Sequence, residues 1–294
     1  MTCDATCSYG TQHTNYFDKL LFPDAMNIIF LFLFGAIIGS FLNVCIARIP
    51  EHESIVKPGS HCPFCKTPIA WYDNIPLISY VLLGGRCRHC REPIAFRYLI
   101  VELVTPLLLV LLWWKFGVSP VLPIAFMFCA ALVVITCIDL RYQIIPDVIS
   151  IPGTVFFCAA SVMVPWFEPS LMVAGIVLPG AAAKLVQSCI GILLGGGLLY
   201  GFALVYLLLT KREGMGLGDV KLLAMIGAFL GWKGALVSLM VGALTGSIGG
   251  ILVMALKGKD MKYAIPFGPF LSLGALCSLL YGSEILSWYI GIGR

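Results

Sequence analysis

Eight stretches of this chain are long and apolar enough to cross a bilayer as helices, and this constrains the fold more than any other feature. A hydrocarbon core of about 30 Å needs roughly 20 apolar residues in a helix. Met26–Ala47, Val118–Ile138, Val148–Phe167, Leu185–Thr210 and Gly234–Leu256 carry no charge at all. Tyr98–Trp114 contains only Glu102, Met215–Trp232 has Asp219 and Lys221 near its start, and Tyr263–Ile292 has Glu284 near its far end. Leu171–Ala183 is apolar but short and holds Pro179, which reads as an interfacial or re-entrant piece. Composition agrees: 60% of the 294 residues are apolar and 12% charged, whereas a soluble domain carries about 25% charged residues. A water-soluble enzyme with one core and a disordered chain are thereby excluded, and twelve Cys are too few for a disulfide scaffold. The expected fold class is an all-α polytopic membrane protein with eight transmembrane helices.

Lys and Arg set the orientation, because they accumulate on the cytoplasmic side. With the N-terminal tail outside and the spans alternating, only Lys19, Lys115, Lys184, Lys233 and Arg294 of the 19 basic residues fall outside. Both termini are therefore expected to be extracytoplasmic. The tail has Asp4, Asp18 and Asp24 against Lys19, so the first span reads as a retained helix and not as a cleaved signal. The expected organisation is a tail over 1–25, a first helix over 26–47, a cytoplasmic loop domain over 48–97 and a seven-helix membrane domain over 98–294. No internal repeat of convincing period is read. The glycines at 191, 195, 196, 197 and 201 lack the strand and Lys of a phosphate loop, and their spacing suits close helix packing.

The loop holds Cys62-Pro-Phe-Cys65 and Cys87-Arg-His-Cys90. Two such pairs suit a tetrahedral zinc with Zn–S of about 2.3 Å. A reducing cytoplasm disfavours disulfides, and no βαβ pattern supports a thioredoxin-like redox motif. Four Cys ligands leave no position for water or substrate, so such a metal is structural and folds a loop without a core of its own. His61 and His89 beside the ligands read as solvent-facing. Cys45, Cys129, Cys137, Cys158, Cys189 and Cys277 read as small apolar packers in spans, and Cys3 and Cys7 lie in the tail.

Acids in spans mark sites. The topology puts Asp139 at the inner end of the third span and Asp219 at the inner start of the sixth, at one membrane depth. Two carboxylates sharing one proton are the equipment of an aspartic protease: one activates a water while the other polarises a carbonyl. Gly216-Leu217-Gly218-Asp219 allows close backbone approach. The plainer alternatives are an Asp139–Arg141 pair, and for Asp219 a helix cap or a partner for Lys211 or Arg212. Asp147, after Ile145-Pro146, suits the first turn of the fourth span. Glu102 and Asn43, near the inner ends of their spans, allow a salt bridge to a nearby Arg and an interhelical hydrogen bond respectively.

These blocks resemble the type IV prepilin peptidase family, the prepilin leader peptidase/N-methyltransferases. Gly39-Ser40-Phe41-Leu42-Asn43-Val44 with Arg48-Ile49-Pro50, and the paired Cys loop with Trp71-Tyr72-Asp73-Asn74-Ile75-Pro76, look like its N-terminal part. So do Arg97-Tyr98 and Val101-Glu102. Asp139-Leu140-Arg141 through Asp147, residues 213–221 around Asp219, and Pro266-Phe267-Gly268-Pro269-Phe270 look like its peptidase part. The resemblance implies cleavage of the leader of type IV prepilins and type II secretion pseudopilins at the cytoplasmic face of the bacterial inner membrane. It further implies N-methylation of the new terminus with S-adenosylmethionine. Asp139 and Asp219 become the catalytic acids and Cys62, Cys65, Cys87 and Cys90 the zinc ligands. No residues are assigned to the methyl donor, since no nucleotide-binding fingerprint is present. The expected partners are prepilins, pseudopilins and the lipid bilayer, with no nucleic acid. Two other classes remain: a proton-coupled transporter, which would place its acids at the midplane, and a zinc-loop scaffold without chemistry.

Overall fold

The structure is a computed structural model, and it describes residues 24–166, 170–173, 176–211, 216–257 and 266–292. The tail over 1–23, with Cys3 and Cys7, lies outside the described residues, as do Arg212 and Glu213-Gly214-Met215. The elements in chain order are α1 (Asp24–Arg48), α2 (Ile78–Leu82), α3 (Arg97–Phe116), α4 (Val121–Tyr142), α5 (Asp147–Ala160), β1 (Ser170–Val173), β2 (Ile176–Pro179), α6 (Gly180–Thr210), α7 (Leu217–Lys257) and α8 (Gly268–Ile292). Six of these helices are long and apolar enough to cross a membrane: α1, α3, α4, α6, α7 and α8.

The eight expected spans depart from the structure at two places. The fourth is short: Asp147–Met163 falls below a full crossing length, α5 giving way to a 3-10 turn at Ser161–Met163. The sixth and seventh are the two halves of α7, which follow one another without a loop and part at Gly231, where φ is 70°. Leu223 O and the Ala235 Cβ both lie within 3.4 Å of where a Cβ on Gly195 would stand. Twelve residues of straight helix span about 18 Å, so the chain doubles back at Gly231. Only glycine adopts that conformation without strain. In the turn before the break, Ala228 O accepts from Ser188 Oγ at 2.6 Å and Phe229 O from Trp166 Nε1 at 2.8 Å. Where apolar surroundings supply no water, such side-chain donors satisfy backbone groups at a break. The segment Leu171–Ala183 takes the form of an antiparallel β1–β2 hairpin, Val173 pairing with Ile176, that runs directly into α6.

Packing follows the small residues. A Cβ on Gly191 would collide with the Gly227 carbonyl and the reverse holds for Gly227, so α6 and α7 meet backbone to backbone. Gly35 sits with its Cβ position 2.5 Å from Pro106 Cα, which brings α1 onto α3. Apolar side chains drive no association in lipid, so close van der Waals approach through small residues does. The buried centre is aromatic: Phe128, Phe157 and Phe229 have ring centroids 4.6–5.2 Å apart. One end of the bundle joins Lys115 to Glu284 and Lys184 to the carbonyls of Val162 and Val164. The other end carries the acids and the four-Cys loop.

Candidate active site and metal centre

Asp139 lies in the last turn of α4, a buried carboxylate at 5% exposure. Its Oδ2 accepts the Gly268 backbone amide at 2.9 Å, from the first residue of α8. A Cβ on Gly268 would stand 2.6 Å from that oxygen, so the bond needs glycine there. Arg141, the alternative partner, stacks over Tyr142 at 4.9 Å. Asp219 lies in the first turn of α7, and its carboxylate is within Coulombic range of Asp139. Ile145 packs against Gly218, seating the start of α7 on the α4–α5 turn. Among the described residues no ion pair joins Asp219 to Lys211. Three segments far apart in sequence thus converge: the end of α4, the start of α7 and the start of α8.

Asp147 begins α5 and receives Lys221 Nζ at 2.7 and 2.8 Å on its two oxygens. Lys221 is two residues beyond Asp219, so the pair ties the starts of α5 and α7 together. Among the described residues Glu102 forms no salt bridge to Arg; its Oε2 accepts the Leu77 amide at 2.8 Å. Asn43 makes the expected interhelical bond, donating from Nδ2 to Tyr98 O at 3.0 Å. Arg48 donates to Ser54 O and Gly59 O and thereby organises the start of the loop.

The four Sγ atoms of Cys62, Cys65, Cys87 and Cys90 all lie within 4.8 Å of one another. Tetrahedral zinc with 2.3 Å bonds separates its sulfurs by about 3.8 Å, and Cys62 and Cys90 are 3.8 Å apart. The two knuckles are built alike. Cys62 N bonds Thr67 O and Cys87 N bonds Glu92 O, while Lys66 and Arg91 take φ of 58° and 61°. Bridges His61–Pro68 and Arg86–Pro93 close them. Residues 61–70 and 86–95 share Cys-x-x-Cys-basic-x-Pro-Ile-Ala. This is an internal repeat that the sequence reading missed, although the letters alone display it. Thiolates are favoured at some positions: the Thr67 side chain and amide draw Cys65 down to about 6, and the amides of Cys90 and His89 lower Cys87. The Glu92 amide favours the Cys90 thiolate, but burial and the other three thiols outweigh it and push Cys90 up to about 12. Four neighbouring thiolates need a cation between them, and the donor set fits a thiophilic metal. Arg88 grips Asp73 through Nε–Oδ2 at 2.7 Å and a second contact to Oδ1, holding that carboxyl below its usual range and fixing the second knuckle to the segment between the pairs.

Fold and site together define a class: a helical protein with several candidate membrane spans that gathers acids at one end of its bundle, beside a four-thiol metal loop. Residues 33–116 match the bacterial peptidase A24 N-terminal domain and residues 126–251 match the type IV leader peptidase family. A prepilin leader peptidase/N-methyltransferase of Aeromonas hydrophila is 35% identical over 286 residues, covering 88% of this chain and 92% of that protein. The protein of the same name from Pseudomonas aeruginosa is 32% identical over 283 residues, covering 88% and 91%. That from Myxococcus xanthus is 37% identical over 233 residues, covering 79% and 64%. No solved structure gives a significant match. The chain belongs to the type IV leader peptidase family.

Proposed function

We propose that this chain is a membrane aspartic endopeptidase that removes the leader of type IV prepilins and type II secretion pseudopilins, and then N-methylates the new terminus with S-adenosylmethionine. Its catalytic pair is Asp139 and Asp219. It crosses the bacterial inner membrane eight times, the short α5 with its 3-10 turn making the fourth crossing and the two halves of α7 the sixth and seventh, with both termini extracytoplasmic and the pair at the cytoplasmic face. One observation supports the reading: Asp139, held by the Gly268 amide, and Asp219, eighty positions on, stand at the same end of the bundle, near enough to feel each other's charge.

In the reaction one carboxylate is ionised and the other protonated. The ionised group takes a proton from water as its oxygen attacks the scissile carbonyl carbon. The protonated group donates to the carbonyl oxygen. Collapse of the tetrahedral species passes a proton to the amide nitrogen, the C–N bond breaks, and the pair returns to its starting state. A pilin helix keeps its apolar stem in lipid and presents the leader junction at the boundary, where water reaches. Transport requires acids at the midplane, and these stand at helix ends.

Residues 48–97 form the metal domain, with zinc held by Cys62, Cys65, Cys87 and Cys90. Zinc there supplies folding energy to a loop too small to hold a core. Two hollows among the described residues are lined by apolar side chains, one by Leu77, Ile78, Val81 and Leu82 and one between α6 and α7. Neither offers polar groups for the ribose, adenine and amino-acid ends of S-adenosylmethionine. The methylation reading rests on the family relatives, whose names carry it.

The test is processing of a pilin precursor in proteoliposomes by Asp139→Asn and Asp219→Asn variants that still insert. Either substitution is expected to abolish cleavage. Wild-type processing by either variant would refute the pair and favour the scaffold reading.

A further inference from the structure

The loop between α1 and α3 carries an apolar surface that its metal site does not explain. In α2, Ile78, Val81 and Leu82 are 53%, 72% and 79% exposed, and with Leu77 they line an open hollow of about 280 Å³. A loop bathed in water rarely presents such a contiguous apolar patch without a partner.

The depth of this patch is fixed by a hydrogen bond. Leu77 N donates to Glu102 Oε2 at 2.8 Å from a turn with φ of 63°. Glu102 is the sixth residue of α3, a candidate span that begins at Arg97. Five helical rises place it about 7.5 Å along the axis from Arg97. Segments lying in a membrane interface bury their apolar side about 5–10 Å into the headgroup–acyl boundary, so α2 starts at that level. The adjoining surface of α3 is apolar and open there too, with Ile100 and Leu103 at 46% and 43% exposure. The Leu77–Glu102 bond therefore sets the patch beside exposed apolar surface of a candidate span. Arg86 and Arg91, exposed and without an ion pair among the described residues, follow it in sequence. Basic residues at this position are attracted by anionic headgroups.

We propose that residues 77–82 are a membrane foot: α2 lies in the leaflet beside α3, its apolar side chains in the headgroup–acyl boundary, held down by Glu102. The foot sits in sequence between the two cysteine knuckles, so the metal site rides on it and is held against the bilayer. This does not depend on the peptidase chemistry, only on α3 crossing the membrane.

The test places the photocrosslinking residue p-benzoylphenylalanine singly at Val81, at Leu82 and, as a lipid-facing reference, at Leu107, which is 51% exposed on α3. The full chain is illuminated in vesicles of phosphatidylethanolamine and phosphatidylglycerol, with and without a pilin precursor, and adducts are identified by mass. Phospholipid adducts at positions 81 and 82, in yield comparable to position 107 and unchanged by the precursor, are expected. Adducts to the precursor or to a second copy of the chain in place of lipid would overturn the proposal. So would loss of lipid adducts at 81 and 82 while position 107 retains its own.

Discussion

Gly268→Ala tests the acid site without touching an acid. The added Cβ would stand 2.6 Å from Asp139 Oδ2, 3.2 Å from Cγ and 3.5 Å from Cβ. Real Cβ contacts essentially never fall under 3.0 Å, so one partner must move by at least 0.4 Å. Asp139 has little room, being 5% exposed. The 2.9 Å bond from the Gly268 amide therefore lengthens or breaks. A hydrogen bond to a charged group is worth about 1.5–3 kcal/mol, and at 1.36 kcal/mol per decade that is roughly a 10–100-fold fall in kcat/KM. Misplacing a reacting group by about 1 Å carries a similar penalty of ~10²-fold. Alanine itself favours a helix, so α8 should not unravel. The assay is gel-resolved cleavage of a pilin precursor at matched protein levels. Gly291→Ala serves as a control, since a Cβ there meets nothing within 4 Å. Wild-type kcat/KM in Gly268→Ala would show that the amide does not position Asp139, and would remove α8 from the site.

The Asp147–Lys221 pair is half exposed, so its strength is about 1 kcal/mol at most and screened by salt. Asp147→Lys is accordingly expected to lower cleavage by no more than ~5-fold, and the added exchange Lys221→Asp to restore it; failure of the double variant to recover would argue against pairing. Cys62→Ser is expected to remove bound zinc, measured by elemental analysis of the purified protein, and to lower methylation more than cleavage. Equal loss of both activities would mean that the metal loop also positions substrate for the protease. Gly227→Leu cannot be accommodated against the Gly191 carbonyl; separation of α6 from α7 should reduce folded yield in detergent, whereas Gly197→Leu, in open space, should not.

Apolar run length determined where the helices lie, because a helix in lipid must satisfy its backbone internally and cover itself with apolar side chains. The spacing of Cys62, Cys65, Cys87 and Cys90 determined the metal centre, since each knuckle is a local turn. The close packing expected of the glycine run is found at Gly191, Gly195 and Gly196, whereas Gly197 and Gly201 face open space. What the sequence left open depends on contacts between distant residues. Lys233 between two apolar runs marked where the chain reverses, but not that Gly231 makes the turn or that Ser188 and Trp166, from other elements, supply the donors there. Gly268 was visible as part of a motif, but its role is set by the carboxylate of a residue 129 positions away. The partner of Glu102 proved to be a backbone amide of a folded loop, which carries no side-chain signature. Periodicity and spacing report on neighbours along the chain; the meeting of α4, α7 and α8 around the acids was decided by how close their backbones can approach.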